Sequence, residues 1–191
     1  MIFGIILVMR LYLATFCFLL SLLGVVSSNR PLSVVTDDKG TFVCSMAVSR
    51  SGAWYTASHC AEGGKFYVDG KLVSHKDLKG DLVRLGNSEK RDDSVLPASR
   101  VKVGLRVVCR MGGFSSLGKP IYFDVEAKVL GVYRGSDLNY VFDSPDDEGR
   151  YALIDVGAFP GCSGSGVYHK GKLIGVIVGG LGQYSFVALF E

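Results

Sequence analysis

The sequence predicts an all-β protein in which two sets of about six short strands form two small barrels. After residue 30, short apolar runs alternate with Gly and Asp turn signals at roughly regular spacing. That spacing favours barrels or sandwiches over βαβ units, and segments with helical periodicity are scarce. With 191 residues, the chain is long enough to bury a sizeable core without additional staples.

The N-terminal 28 residues differ in composition from the rest of the chain. Residues 1–26 are almost entirely apolar, interrupted by Arg10 and a few small polar residues. The apolar run 11–26 is short for a membrane span and long for the core of a signal peptide. We therefore expect a hydrophobic helix over 1–28, either a signal peptide cut after Ser28 or a membrane anchor. A buried helix is the remaining alternative.

The segment 29–191 is predicted to be a separate soluble domain. A signal peptide or an anchor over 1–28 places it outside the reducing cytosol: secreted, periplasmic, or held at a cellular or viral membrane. A charged loop around 89–99 separates the two sets of strands. The first barrel is therefore expected over about 32–90 and the second over about 100–191.

The predicted strands follow one another through short turns. Asp69-Gly70, between two apolar runs, is the strongest hairpin signal in the chain. The first set of strands is predicted over 32–35, 41–48, 54–57, 65–68, 71–73 and 81–85. The second set is predicted over 101–108, 121–125, 127–133, 140–142, 151–156, 166–169, 172–178 and 185–189.

Charge and cysteine spacing argue against two classes of function. The net charge of +3 comes from scattered basic residues that do not alternate with aromatic ones, so we expect no nucleic-acid partner. No pair among the five cysteines has CxxC spacing, so we expect no zinc site. Cys17 belongs to the apolar N-terminal segment, and the other four could form disulfides in an oxidising compartment.

A glycine-flanked serine is the strongest functional signal. In Gly161-Cys162-Ser163-Gly164-Ser165-Gly166, the glycines allow a sharp turn that leaves backbone N–H groups facing the Ser163 hydroxyl. An acyl-transfer enzyme needs this geometry for its nucleophile and oxyanion hole. A serine nucleophile also needs a neutral imidazole as base and a carboxylate that orients it.

The chain has three histidines. His75 lies in a polar stretch and His169 at a predicted hairpin tip, so both are interpreted as surface or satisfied core residues. His59 lies just after an apolar strand, whose rigid end could hold a catalytic base.

Three motifs, in chain order, resemble those of chymotrypsin-like serine proteases. Tyr55-Thr56-Ala57-Ser58-His59-Cys60 resembles the T-A-x-H-C signature, and Gly161-Cys162-Ser163-Gly164 resembles the G-x-S-G nucleophile motif. Between them, 75–85 resembles the D-x-x-x-D-[LI]-A-L-L segment of the HtrA (DegP-type) branch. The resemblance covers about 40–191. It implies two six-stranded antiparallel Greek-key barrels, a polypeptide substrate, and no metal or organic cofactor.

The resemblance also implies a role for each site residue. His59 would be the general base and then the general acid, Asp81 would orient it, and Ser163 would be the nucleophile. The N–H groups of Gly161 and Ser163 would form the oxyanion hole. Asp92 and Asp93 are alternative acids, because some viral relatives have a wider spacing between the His and the Asp.

Asp81 is the preferred acid, because the apolar strand that follows it would fix its position. Arg84 departs from the apolar pattern of that strand and leaves the choice of acid open. Asp77 is interpreted as a turn residue.

Cys162 stands where digestive relatives have an Asp that pairs with a new N-terminus, so activation by zymogen cleavage is not expected. Ser165 replaces the usual second glycine, a small change that we expect to be tolerated. Because the sequence stops after the last predicted strand, the PDZ module of classical HtrA proteins is expected to be missing.

The family's disulfide beside the catalytic His implies a bond between Cys44 and Cys60. Cys109 and Cys162 are interpreted as buried thiols.

By motif position, the pocket for the P1 side chain is uncharged. Ala158 and Ile177 stand where Glu-cleaving viral relatives have a Thr and a His, so an apolar or small P1 residue is expected. The predicted pocket residues are Ala158, Phe159, Pro160, Ile177, Val178, Gly179 and Gly180.

The sequence therefore predicts a serine endopeptidase. The alternatives to this function are a catalytically silent binding module and an unrelated β-sandwich with chance motifs. The sequence does not predict the oligomeric state.

Overall fold

The computed structural model describes residues 34–61, 63–86, 92–114, 120–138 and 148–191. The predicted N-terminal helix, signal peptide or anchor over 1–28 and the predicted strand over 140–142 lie outside these residues. Within the described ranges, no helix has the length and apolar character needed to cross a membrane.

The first half of the chain forms two four-stranded antiparallel sheets with strand orders β2-β1-β5-β6 and β3-β4-β8-β7. Met46 alone separates β2 from β3, and Ser74 alone separates β6 from β7. Each of these pairs is therefore one continuous strand that bends from one sheet into the other. Counted in this way, the first half has six strands, and each one pairs with two others, so that they follow one another in a closed order. The strands are β1 (Val34–Thr36), β2 (Phe42–Ser45), β3 (Ala47–Val48), β4 (Trp54–Ala57), β5 (Phe66–Val68), β6 (Lys71–Val73), β7 (His75–Leu78) and β8 (Leu82–Leu85).

The second half forms a closed barrel with strand order β10-β11-β14-β13-β12-β9. The prediction of an all-β chain with a six-stranded barrel is thus confirmed for this half, whereas the hydrogen bonds of the first half divide between two sheets. The strands are β9 (Arg106–Phe114), β10 (Pro120–Arg134), β11 (Arg150–Ile154), β12 (Gly166–His169), β13 (Lys172–Leu181) and β14 (Tyr184–Leu189).

Several strands differ from the predicted ones. The strands predicted at 121–125 and 127–133 are one strand, β10, whose first part pairs with β9 and whose second part pairs with β11. The predicted strand at 101–108 begins only at Arg106, after a 3-10 turn at Ala98–Arg100. Strand β7 was not predicted, because its residues are mostly exposed and polar and show no apolar alternation.

Two apolar clusters hold the fold together. One fills the closed barrel and includes Met111, Ile154 and Ile174. The other joins the sheets of the first half to the outer face of the barrel, where Leu173 and Val176 of β13 pack. Side chains of β13 point to both faces of the sheet, and a register shift against β12 changes their alternation between Leu173 and Gly175, so this strand contributes to both clusters. The two halves are therefore packed against each other over an apolar surface, which fixes the residues at their boundary.

Candidate active site

His59 and Asp81 are in direct contact at the end of the β4–β8 pair. His59 lies in a 3-10 turn, Ser58–Cys60, that follows β4, and Asp81 directly precedes β8. The Nδ1–H group of His59 donates to Oδ2 of Asp81 at 2.6 Å, and the main-chain N–H of His59 donates to Oδ1 at 3.0 Å. Both carboxylate oxygens therefore hold the same residue, which fixes the position of the turn and of the imidazole ring.

The backbone directly before β8 has an unusual conformation that places Asp81 next to His59. Gly80 and Asp81 both have left-handed φ angles, +76° and +51°. The conformation is uncommon for a residue with a side chain and is found mostly at functional sites and tight turns. The side chain of His59 is 45% exposed and that of Asp81 26% exposed. The imidazole therefore remains accessible to a molecule in solution, with its carboxylate partner behind it.

The predicted disulfide is confirmed: Cys44 and Cys60 are bonded, with a Cα–Cα distance of 5.9 Å. Cys44 belongs to β2, so the bond ties that strand to the turn that carries His59. Donor atoms of Cys44, His59 and Cys60 lie within 4.8 Å of one another. Because the two sulfurs are bonded to each other, this group does not offer the thiolates that a metal ion would need.

Ser163 lies in a turn that is hydrogen-bonded to the first half of the chain. The N–H of Ser45, at the end of β2, donates to the Ser163 carbonyl oxygen at 2.8 Å. The Ser45 hydroxyl donates to the Gly161 carbonyl oxygen, also at 2.8 Å. No hydrogen bond joins the Ser163 hydroxyl to the His59 ring among the described residues. The structure thus brings His59 and Asp81 together, and it places the main chain of Ser163 against Ser45.

Gly164 explains why the turn can approach the first half so closely. A Cβ at this position would lie 2.0 Å from the carbonyl oxygen of Ser45 and 2.4 Å from Oγ1 of Thr56. Its N–H donates to the Ile177 carbonyl oxygen at 2.7 Å, which ties the turn to β13. A glycine is therefore required after Ser163 for two reasons: any side chain would prevent the close packing, and the backbone has a φ of +84°.

The two predicted oxyanion donors have no protein acceptor in the part of the chain that the structure describes. Within the described residues, the N–H groups of Gly161 and Ser163 make no hydrogen bond, whereas both carbonyl groups are bonded to Ser45. Gly161 has a φ of +91°, which glycine adopts without steric cost.

Asp92, the alternative acid, is occupied elsewhere. It is 7% exposed, and its carboxylate accepts the Tyr55 hydroxyl at 3.0 Å and the Ser94 hydroxyl at 2.5 Å. Burial alone would raise the pKa of Asp92, but the polar hydroxyl groups of Ser49, Ser94 and Ser51 outweigh it and lower this pKa to about 2. Asp81, and not Asp92, is the carboxylate that contacts His59.

Cys109 and Cys162 are buried free thiols, as predicted. Burial raises the pKa of Cys109 to about 12 and also raises the pKa of Cys162. Both sulfurs are therefore protonated at neutral pH and are poor nucleophiles.

The two segments predicted to form the P1 pocket touch each other. A Cβ on Gly180 would lie 2.5 Å from Cβ of Ala158, so little space remains between these residues. The Phe159 ring stacks on Phe123, with centroids 5.6 Å apart. Of the other predicted pocket residues, Gly179 is half-buried and Pro160 is exposed. The side chains of Ile177 and Val178 are buried in the two apolar clusters.

Sequence reasoning missed Ser45, which is completely buried and contacts the main chain on both sides of Cys162. The only sequence signal was a serine directly after Cys44 in an apolar strand. A cleft of about 800 Å³ is lined by the alternative acids Asp92 and Asp93, and by Tyr55, Arg84 and Lys172 among others, but not by His59, Asp81 or Ser163.

No protein-family model and no curated protein sequence matches the chain. Solved structures do. The HtrA-type protease AlgW with tripeptide is 18% identical with a TM-score of 0.55, over 83% of this chain and 55% of AlgW. The active form of the Rv3671c protease from M. tuberculosis is 21% identical, over 76% and 68%, with a TM-score of 0.51. The 3C protein of HRV-C with rupintrivir is 16% identical, over 84% and 92%, with a TM-score of 0.51. The chain has the chymotrypsin-like serine protease fold.

Proposed function

We propose that the protein is a serine endopeptidase that hydrolyses peptide bonds through an acyl-enzyme. The observation that carries the proposal is the contact of both Asp81 carboxylate oxygens with His59. The glycine-flanked turn of Ser163, in the second half of a fold shared with proteases, supplies the nucleophile.

The proposed mechanism follows from the tautomer that Asp81 selects. Because Nδ1–H of His59 donates to Asp81, the lone pair is on Nε2, which takes the proton of the Ser163 hydroxyl during attack. The N–H groups of Gly161 and Ser163 stabilise the oxyanion, and Nε2–H of His59 then protonates the leaving amine. Water hydrolyses the acyl-enzyme by the reverse sequence of proton transfers.

The proposed substrate carries a small or short apolar P1 side chain. Two observations support this preference: the predicted pocket residues are uncharged, and Ala158 closes against Gly180. A long or charged P1 side chain would have to separate these two segments and would find no counter-ion among the predicted pocket residues.

We also propose that the protease domain spans 29–191 and works outside the reducing cytosol. The bond between Cys44 and Cys60 supports this location, because disulfides persist in oxidising compartments. A signal peptide or anchor over 1–28 would provide the export.

A catalytically silent binding module is the second candidate. The missing hydrogen bond between the Ser163 hydroxyl and the described His59 ring favours it. In free enzymes such bonds are often long, so the same observation is compatible with an active site that tightens around its substrate.

Labelling with a fluorophosphonate probe separates the two candidates. We expect labelling of the full chain, with the probe on Ser163, and loss of labelling in Ser163→Ala and in His59→Ala. The matched controls are Ser165→Ala, two residues from the nucleophile, and His75→Ala; both should retain it. A folded wild-type protein that takes up no probe and cleaves no peptide in a mixed library would reject the protease in favour of the silent module.

A further inference from the structure

Ser45 lies at the contact between the two halves of the protein. It is completely buried at the end of β2, and all of its polar groups are used. The N–H donates to the Ser163 carbonyl, the hydroxyl donates to the Gly161 carbonyl, and its own carbonyl accepts the Thr56 hydroxyl at 2.9 Å.

Two glycines leave the space that Ser45 fills. A Cβ on Gly112 of β9 would lie 2.2 Å from the Ser45 hydroxyl oxygen, and a Cβ on Gly164 would lie 2.0 Å from the Ser45 carbonyl oxygen. Neither of these positions could carry a side chain while Ser45 keeps its place. The serine is thus held by a backbone cradle from the second half and not by general apolar packing.

The two anchored carbonyls flank Cys162 and the peptide that carries the Ser163 N–H. The other end of the Gly161–Cys162 peptide is also held, because the Cys162 N–H donates to the Phe159 carbonyl at 3.1 Å. With these bonds in place, the turn has little freedom to rotate its peptide groups. Loss of the Ser45 hydroxyl would remove one of the two hydrogen bonds that hold this peptide and would loosen the orientation of the N–H donors on either side of it.

The same short segment also reaches the candidate base. Cys44 precedes Ser45 and is bonded to Cys60, which follows His59. The dipeptide Cys44-Ser45 therefore connects the turn of His59 to the turn of Ser163 through one disulfide and two hydrogen bonds.

We propose that Ser45 is a positioning residue: its hydroxyl fixes the orientation of the N–H donors of the oxyanion hole by holding the Gly161 carbonyl. The role rests on the proposed protease function and deepens it. The Ser45 side chain touches no reacting atom in this role. Ser45 therefore stabilises the transition state, in which charge develops on the substrate oxygen, and has little effect on the affinity for the substrate.

The experiment compares Ser45→Ala with Ser49→Ala, which removes another buried hydroxyl of the first half, one that is bonded to the Ala53 N–H and to Ser51. With active sites counted by fluorophosphonate titration, we expect kcat per site to fall about tenfold in Ser45→Ala. KM should stay within about twofold, while affinity for a peptide boronic acid, which mimics the tetrahedral intermediate, falls in parallel with kcat. Ser49→Ala should keep kcat per site.

A second measurement does not depend on activity. Hydrogen exchange of the amides in 161–166 should accelerate in Ser45→Ala and not in Ser49→Ala, with unchanged exchange in the closed barrel as the check of folding. Should Ser45→Ala fail to fold, Ser45→Gly, which also lacks the hydroxyl, is measured in the same way. Unchanged exchange in 161–166 overturns the proposal, and so does unchanged kcat per site in an active protein. A wild type without labelling or cleavage rejects the protease function, and the exchange data still decide the role of Ser45.

Discussion

Gly164 follows Ser163 with a left-handed backbone, and its Cα packs against the main chain of β2 and the side chain of Thr56. Gly171, at the hairpin between β12 and β13, has a similar φ of +76° with open space around it. The two positions share the same backbone requirement and differ in crowding. Together they separate the conformational role of a glycine from its packing role.

We expect Gly164→Ala to cost about 3 kcal/mol or more in the free energy of unfolding, because the added methyl group meets a backbone oxygen. Gly171→Ala should cost about 1 kcal/mol, from the left-handed conformation alone. Urea unfolding measures both, and fluorophosphonate labelling of Ser163 should fall only in Gly164→Ala. Equal losses of stability in the two variants would contradict the importance of the contact with Ser45.

Among the elements, the 3-10 turn Ser58–Cys60 depends on its neighbours for its position. Its three residues make little structure of their own. Asp81, directly before β8, holds it through two hydrogen bonds, and the disulfide ties it to β2. The geometry of His59 is therefore set by two other strands and not by the local sequence of the turn.

Removal of the disulfide tests this dependence. In the double variant Cys44→Ala, Cys60→Ala, we expect a loss of about 3 kcal/mol in unfolding free energy, since the bond closes a loop with a sequence separation of 16. The rate of fluorophosphonate labelling should fall as well, because the turn of His59 loses one of its two ties. A thiol reductant should lower the wild type to the same stability and leave the variant unchanged. The prediction is wrong if the melting temperature of the wild type is unchanged after the disulfide has been fully reduced, as shown by thiol counting.

At the scale of the whole molecule, the segment that connects the two halves is anchored by Asp92. Its carboxylate accepts hydrogen bonds from Tyr55 of β4 and from Ser94. Farther along, the Leu96 N–H donates to Leu173 of β13 and the Ala98 N–H donates to Phe190. The connection thus runs along both halves and is bonded to each of them.

The lowered pKa of Asp92 makes the stability of the fold depend on acid. Because the pKa is about 2 in the folded state and near 3.8 when unfolded, the carboxylate contributes about 2 kcal/mol above roughly pH 4. This contribution is lost as the pH falls from 4 towards 2. Unfolding at a series of pH values should show the loss in the wild type and a flatter profile in Asp92→Asn. Asp93→Asn, at the exposed neighbouring residue, should keep the wild-type profile. If the unfolding free energy of Asp92→Asn falls with acid as steeply as that of the wild type, Asp92 is not the cause of the acid dependence.

How far the sequence predicts the molecule depends on the range of the interactions involved. Strand periodicity and turn residues act over a few positions, so most strands of both halves were predicted, including the hairpin at Asp69-Gly70. Strand β7 was missed because its exposed, polar residues gain their structure only by pairing with β8. The bend at Met46, which divides one predicted strand into β2 and β3, is likewise a product of sheet packing.

By itself, the sequence determined the all-β class, the resemblance to a protease family, and the candidate residues His59, Asp81 and Ser163. Only the tertiary structure decided that Asp81 and not Asp92 contacts His59, and that Ser45 holds the turn of Ser163. The physical reason is separation along the chain. The hydrogen bond from Ser45 to Gly161 spans 116 positions, and its geometry arises only when two halves with separate strand patterns pack against each other.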